Sequence, residues 1–134
     1  MSGFLFDSNV LLDVATLDEV WRPWSEERLV AASEQRLAFI NPIIYAELAP
    51  GFGSQEALER WIDSADLERL ELPYKAGWRA GQAFARYRRA GGMRRAPLPD
   101  FYIGAHAEAA GLTLVTRDVA RYATYFPAVA LVTP

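Results

Sequence analysis

The sequence of 134 residues contains no cysteine. This absence excludes disulfide bonds, zinc sites built from thiolates and cysteine nucleophiles, and it is compatible with a reducing cytosol. Histidine is also scarce, because His106 is the only one. A metal site, if the chain has one, must therefore be built mainly from oxygen ligands.

Long apolar runs are missing as well. No segment approaches the roughly 20 apolar residues that a membrane span requires. The first residues, MSGFLFDSNVLLD, contain neither a basic leader nor a long apolar stretch, so no signal peptide is expected. With 51% hydrophobic and 23% charged residues, the chain is predicted to form one globular domain over residues 1–134, located in the cytoplasm and not in a membrane.

Lysine is nearly absent, since Lys75 is the only one among 14 basic residues. The net charge of −3 argues against a basic nucleic-acid binder as a whole. Five arginines nevertheless crowd ten residues: Arg86, Arg88, Arg89, Arg94 and Arg95. Their guanidinium groups suit phosphate, but they could equally form a solvated helix end that complements the helix dipole.

Short apolar runs alternate with helical patterns along the chain. Buried strands are predicted at 3–6, 37–40, 112–116 and 128–133, with a weaker candidate at 67–72. Helices are predicted at 9–15, 24–35, 42–49, 54–65, 74–90, 100–110 and 118–124. This alternation indicates an α/β fold with a mostly parallel sheet of four to five strands, covered on both faces.

Two aspartates follow predicted strands. Asp7 comes directly after the first run, and Asp118 lies two residues beyond Thr116, where a later run ends. The carboxyl ends of parallel strands share one edge of a sheet, which is where ligands bind in such folds. Each aspartate could also be a simple helix cap, so both interpretations stay open.

Two further acids occupy apolar helical faces. Glu47 shares a face with Ile43 and Ile44, and Asp100 precedes Ile103 at helical spacing. Capping does not explain this inward direction. Carboxylates buried close together are unfavourable unless a cation lies between them, and oxygen ligands favour Mg²⁺ or Mn²⁺.

Polar residues beside these acids are candidate hydrogen-bond donors to them. Ser8, Asn9 and Thr116 have this position, although each could also be a turn or cap residue. His106 lies about 120° around the helix from Asp100, which predicts a structural or surface role. Pro97 is expected to stiffen the approach to that helix.

Four segments of the sequence resemble successive blocks of the PIN-domain ribonucleases, specifically the VapC-type toxins of type II toxin–antitoxin systems. The segments are FLFDSNVLLD, NPIIYAELA, LPDFYIGAHAEAAGLTLVTRD and RYATYFP, and together they cover nearly the whole chain. The resemblance matches the four acids of the family to Asp7, Glu47, Asp100 and Asp118. Ser8 stands where threonine is frequent in the family, which keeps the hydroxyl.

The resemblance implies a three-layer α/β/α fold and Mg²⁺- or Mn²⁺-dependent cleavage of RNA, with the four acids as catalytic residues and metal ligands. It also implies a homodimer and inhibition by a cognate antitoxin. The five arginines would then bind RNA or the antitoxin. One alternative is a catalytically silent PIN-like interaction module. Another is a haloacid-dehalogenase-like phosphatase, which requires a second aspartate where this chain has Asn9.

Overall fold

A computed structural model describes residues 3–95 and 98–134, and Pro97 lies outside them. In this part of the chain, five parallel strands form one sheet in the order β3-β2-β1-β4-β5. The strands are β1 (Phe4–Phe6), β2 (Ala38–Ile40), β3 (Glu68–Arg69), β4 (Thr113–Val115) and β5 (Leu131–Val132). The predicted α/β fold with a parallel sheet is therefore confirmed.

Seven α-helices flank the sheet within the described ranges and complete a three-layer α/β/α arrangement. They are α1 (Ser8–Ala15), α2 (Arg22–Glu34), α3 (Pro42–Leu48), α4 (Gln55–Ser64), α5 (Tyr74–Arg89), α6 (Pro99–Ala110) and α7 (Val119–Tyr125). A short 3₁₀ helix, Ala49–Gly51, follows α3. None of the helices described is long and apolar enough to cross a membrane.

Element ends differ from the predicted ones by a few residues. The two edge strands, β3 and β5, are only two residues long, shorter than their predicted runs, and each pairs with a neighbour on one side only. Helix α6 begins at Pro99, whose fixed φ suits the first turn of a helix. Helix α3 begins at Pro42. Asn41 precedes it as the capping residue, and its side chain accepts a hydrogen bond from the amide of Ile44.

The central strand β1 determines where the candidate site lies. It pairs with β2 on one side and β4 on the other, and Phe6 is in register with Val115. The ladder continues one residue further, because the amide of Asp7 donates to the carbonyl of Val115 at 2.9 Å. Asp7 and Thr116 therefore emerge side by side at the carboxyl edge of the sheet.

A close contact joins α6 to the chain that follows α7. Gly104 is buried in α6, and a Cβ placed on it would lie 2.4 Å from Cδ2 of Phe126. Phe126 is itself buried, so its ring rests directly on the helix backbone. The contact holds α7 against α6. Asp100 lies in α6, and Asp118 directly precedes α7.

We expect Gly104→Ala to lower the free energy of unfolding by about 1–3 kcal/mol, because the new methyl group overpacks the buried ring of Phe126. Urea denaturation followed by circular dichroism measures the change. Gly81→Ala in α5 is the matched control, since a Cβ there meets no atom within 4 Å. Because alanine has a higher helix propensity than glycine, Gly81→Ala should instead raise the free energy of unfolding by about 0.5–1 kcal/mol. Equal effects of the two substitutions would contradict the packing argument.

Candidate active site

Asp7 is the most highly connected acid at the carboxyl edge of the sheet. It is buried, and its Oδ1 accepts the amide hydrogen of Ser8 at 2.8 Å, as expected of the residue that caps α1. Its Oδ2 accepts hydrogen bonds from the Thr116 hydroxyl at 2.8 Å and the Tyr122 hydroxyl at 3.0 Å. Asp7 thus serves as a helix cap and also points one oxygen into a polar network.

The hydroxyl of Tyr122 links Asp7 to Asp100. It lies 3.0 Å from Oδ2 of Asp7 and 3.2 Å from Oδ1 of Asp100, and the tyrosine is fully buried. Burial, followed by the two neighbouring carboxylates, raises the pKa of Tyr122 far above its ordinary value. The phenol therefore stays protonated, and its single hydrogen is shared between the two acids.

Glu47 joins the same group from α3. Its side chain is half-buried, and Oε1 accepts a hydrogen bond from the Ser8 hydroxyl at 3.0 Å. Burial raises the pKa of Glu47, and the negative charges of Asp7 and Asp100 raise it further. Three acids from three separate segments therefore lie close enough to repel one another.

The pKa of Asp7 is raised as well. Burial is the largest cause and the charge of Asp100 adds to it, whereas the hydrogen bonds from Thr116 and Tyr122 act in the opposite direction. Asn9 adds a longer contact of 3.4 Å to Oδ2 of Asp7. Ser8, Asn9 and Thr116 each contact one of the acids.

Asp118 lies at the rim and is joined to the group through an arginine. Although it precedes α7, its side chain forms no capping hydrogen bond. Its carboxylate instead pairs with Nε of Arg121 at 2.8 Å, and Nη1 of Arg121 pairs with Asp100. The guanidinium group, on a side chain that is 62% exposed, thus lies between two of the four acids.

The oxygen-only donor set is of the chemical kind that holds Mg²⁺ or Mn²⁺. Burial and mutual repulsion raise the pKa values of Asp7 and Glu47, and a cation would relieve both effects. Within residues 3–95 and 98–134, however, no three acidic or histidine side chains form a ready-made ligand set. The donors fit a hard cation in kind, and the exposed Arg121 side chain would have to move to admit one.

A cleft of about 390 Å³ opens beside these acids. Glu47 and Asp100 line it, together with Arg94, Arg121 and several aromatic rings. Among the five clustered arginines, Arg94 lines this cleft. Arg86 donates to the carbonyl of Tyr125 at 2.8 Å and Arg88 donates to the carbonyl of Arg94, so both brace the backbone. Arg89 and Arg95 are exposed.

The sequence pattern of the PIN domain matches residues 4–126, which include all four acids. The chain belongs to the PIN domain family. This membership agrees with the resemblance found in the four sequence segments, and it gives no support to the phosphatase alternative.

Solved structures with the same fold include toxin–antitoxin complexes. The chain is 25% identical to a protein in DNA-bound VapBC from Salmonella typhimurium, with a TM-score of 0.70 and coverage of 99% of this chain and 98% of that one. It is 19% identical to a chain of VapBC2 from Rickettsia felis bound to a promoter fragment, with a TM-score of 0.71 and 97% coverage of both chains. No match was found among curated protein sequences.

This PIN domain also contains a buried ion pair that the sequence analysis did not predict. Asp13 in α1 is 3% exposed and accepts hydrogen bonds from Nε of Arg117 at 2.9 Å, Nη2 of Arg117 at 3.0 Å and the Ser25 hydroxyl at 2.7 Å. The Arg117 guanidinium also lies 5.0 Å from the centre of the Trp21 ring. These contacts fix the segment between Thr116 and Asp118.

Signals for the missed residues exist in the sequence. Asp13 follows the buried Val10 by three residues, so it is an acid on an apolar helical face, just as Glu47 is. Arg121 and Tyr122 come three and four residues after Asp118, which places them on the same side of α7. Helical spacing therefore associates both residues with Asp118, but it does not indicate their contacts with Asp7 and Asp100.

His106 is a buried structural residue, and it joins the two helices that carry Glu47 and Asp100. Its Nδ1 lies 3.0 Å from Nδ2 of Asn41, the residue that caps α3. An amide nitrogen only donates, so Nδ1 accepts and Nε2 carries the ring hydrogen. Burial lowers the pKa of His106, which favours this neutral form.

We expect Asp13→Asn to lower the free energy of unfolding by about 2 kcal/mol or more, because Arg117 loses its buried counter-charge. Urea denaturation measures the loss. Asp63→Asn provides the control, since the Asp63 side chain is 72% exposed and its ion pair with Arg69 is weak at 3.6 Å. That substitution should change stability by less than about 0.5 kcal/mol. An unchanged urea midpoint for Asp13→Asn would show that the buried pair does not stabilise the fold.

The lowered pKa of His106 predicts a loss of stability in acid. The folded protein binds the proton less readily than the unfolded chain, so the contribution of His106 is complete above about pH 6.5 and declines as the pH falls below it. Asp7 and Glu47 contribute with the opposite sign, since their pKa values are raised. His106→Gln isolates the effect, because the difference in unfolding free energy between wild type and variant should shrink from pH 7.5 to pH 5. A difference that is constant across this range would contradict the prediction.

Proposed function

We propose that this PIN domain is a metal-dependent endoribonuclease that acts as the toxin of a toxin–antitoxin pair. The observation that carries the proposal is the convergence of three acids beside an open cleft: the buried hydroxyl of Tyr122 joins Asp7 to Asp100, and Ser8 joins Asp7 to Glu47. Burial, and then the charges of neighbouring acids, raise the pKa values of Asp7 and Glu47, and such a cluster serves no evident purpose in packing. Family membership supports a nuclease.

Asp7, Glu47, Asp100 and Asp118 are the proposed catalytic residues and would hold Mg²⁺ or Mn²⁺. The bound ion would polarise the phosphodiester and lower the pKa of a water molecule. The remaining contacts keep the acids in place. Thr116 and Tyr122 donate to Asp7, which fixes its Oδ2, and the Ser8 hydroxyl orients Glu47.

Arg121 balances the charge of the acids in this proposal. It pairs with Asp100 and Asp118, and its long side chain is largely exposed, so it can swing towards solvent or towards a phosphate. Arg94 lines the same cleft and supplies a second guanidinium group. The two arginines would hold RNA phosphates near the acids, which would otherwise repel them.

The proposed partners follow from the related structures. A similar chain occurs in VapBC from Salmonella typhimurium, and another occurs in a toxin–antitoxin complex from Klebsiella pneumoniae, 24% identical to this chain with a TM-score of 0.70. We propose by analogy that a cognate antitoxin inhibits this protein, that the protein forms a homodimer, and that it acts in the cytoplasm. The open cleft offers an antitoxin a direct route to block the acids.

A catalytically silent interaction module is the second candidate. The pairing of Arg121 with Asp100 and Asp118 favours it, because a guanidinium group already neutralises part of the charge that a metal would neutralise. Metal binding separates the two candidates. If the protein is a silent module, Arg121 stays paired with Asp100 and Asp118 and the protein does not bind Mn²⁺. A nuclease would bind Mn²⁺ through Asp7 and the neighbouring acids.

The decisive experiment incubates purified, antitoxin-free protein with total cellular RNA in Mg²⁺, Mn²⁺ or chelator. We expect cleavage only with a divalent ion. Asp7→Asn and Asp100→Asn should each reduce the rate at least about a hundredfold, because both remove a proposed ligand. Titration calorimetry with Mn²⁺ should show weaker binding by the same variants.

Glu56→Gln is the control, because Glu56 is an exposed acid in the first turn of α4. It should cut RNA and bind Mn²⁺ as the wild type does. Wild-type protein that cuts no RNA with any ion, or Asp7→Asn protein that cuts as fast as wild type, would refute the nuclease proposal. A protein that neither binds Mn²⁺ nor cuts RNA would leave the silent module as the better description.

A further inference from the structure

The cleft beside the acids has an aromatic wall. Tyr87 and Tyr125 line it and are half-buried, so part of each ring faces the open space. Phe101 and Phe126 also line it but are buried, at 6% and 3% exposure. The two phenylalanines belong to the core, whereas the two tyrosines form the accessible surface of the wall.

The tyrosines are tied to the acids through Phe101. Its ring centre lies 5.7 Å from that of Tyr87 and 5.4 Å from that of Tyr125, and the two tyrosine rings meet edge to face at 6.4 Å. Phe101 directly follows Asp100 in α6. The aromatic wall therefore has a fixed position relative to the candidate catalytic carboxylate.

The wall is also braced from behind. A Cβ placed on Gly92 would lie 2.1 Å from the Tyr87 ring, so the loop after α5 rests directly on that ring. The amide of Gly92 donates to the carbonyl of Tyr87 at 2.9 Å. Arg86 holds the other tyrosine by donating to the carbonyl of Tyr125. These contacts restrain the Tyr87 ring and the backbone of Tyr125, and restraint of a binding surface reduces the entropy lost on binding.

Positive charge lies next to these rings. Arg94 and Arg121 line the same cleft as Tyr87 and Tyr125, and both arginines are exposed. Guanidinium groups bind phosphate and also stack on flat π-systems. Aromatic faces combined with arginines form the usual surface for unpaired bases in single-stranded nucleic acid.

We infer that the cleft binds one unstacked nucleobase of a single-stranded RNA on the Tyr87–Tyr125 wall, with Arg94 contacting a flanking phosphate. The inference rests on the proposed nuclease function and adds to it a subsite for one base, formed by Tyr87 and Tyr125 beside the candidate catalytic acids. An RNA duplex keeps its bases stacked on one another and could not offer one to this wall.

The experiment uses short oligouridylate strands that carry a single 2-aminopurine at successive positions, mixed with the protein in chelator so that no cleavage occurs. We expect the fluorescence to be quenched at one position, where the base stacks on the wall. Tyr125→Leu should weaken binding about tenfold and remove this quenching. Tyr125→Phe keeps the ring and should retain the affinity and the quenching of the wild type.

Two further variants separate stacking from general damage. Tyr74→Leu, a tyrosine that is 99% exposed at the start of α5, should bind as the wild type does. Arg94→Gln should weaken binding and reduce the slope of log affinity against log salt by about 0.7, the value for one lost phosphate contact on a single strand. Urea denaturation of each variant verifies that it folds.

The outcomes distinguish this inference from the proposed function. Position-dependent quenching that Tyr125→Leu abolishes supports the base-binding wall, even if the protein cuts no RNA with any metal and the nuclease proposal fails. Metal-dependent cleavage without quenching at any position would leave the nuclease proposal intact and overturn the inference. Equal losses for Tyr125→Phe and Tyr125→Leu would also overturn it, since they would assign the effect to the hydroxyl group. An absence of RNA binding would do the same and would favour a protein as the occupant of the cleft.

Discussion

The candidate site depends on one shared hydrogen: the hydroxyl of Tyr122 stands between Asp7 and Asp100 and keeps two repelling carboxylates side by side. Asp7 follows β1, Asp100 lies in the first turn of α6, and Tyr122 is in α7, so a single buried phenol connects a strand end to two helices. The acids remain close because a neutral donor, protected from ionisation by its burial, separates them.

Arginine balances the charge of acids at two places in the part of the chain that the structure describes. Arg117 pairs with Asp13, and Arg121 pairs with Asp100 and Asp118. The Arg117–Asp13 pair is largely enclosed and has a structural role. In the second group, the side chain of Arg121 is exposed. A planar group with several donors can join two carboxylates in this way, and it keeps its charge in both surroundings. The scarcity of lysine noted in the sequence is consistent with this use.

The fold and the position of the acids follow from local patterns, because strands and helices each have their own hydrophobic period and parallel strands share a carboxyl edge. The predicted strand before Asp7 indicated that Asp7 lies at the carboxyl edge of the sheet. The isoleucines that share a helical face with Glu47 indicated that its side chain points inward. The contacts of Tyr122 and Arg121 depend on how α7 crosses the sheet, which periodicity does not specify. The aromatic wall was missed for a related reason, since partial exposure of Tyr87 and Tyr125 results from packing between α5, α6 and α7.

The pairing of β1 with β4 places the first residues of the described chain beside residues more than a hundred positions later. During synthesis on the ribosome, Asp7 leaves the exit tunnel more than a hundred residues before Thr116 and Tyr122 do. A partly made chain consequently has carboxylates without the strand and the phenol that align them. If the site cuts RNA, this topology keeps the acids unaligned until β4 and α7 have been made and have folded against β1.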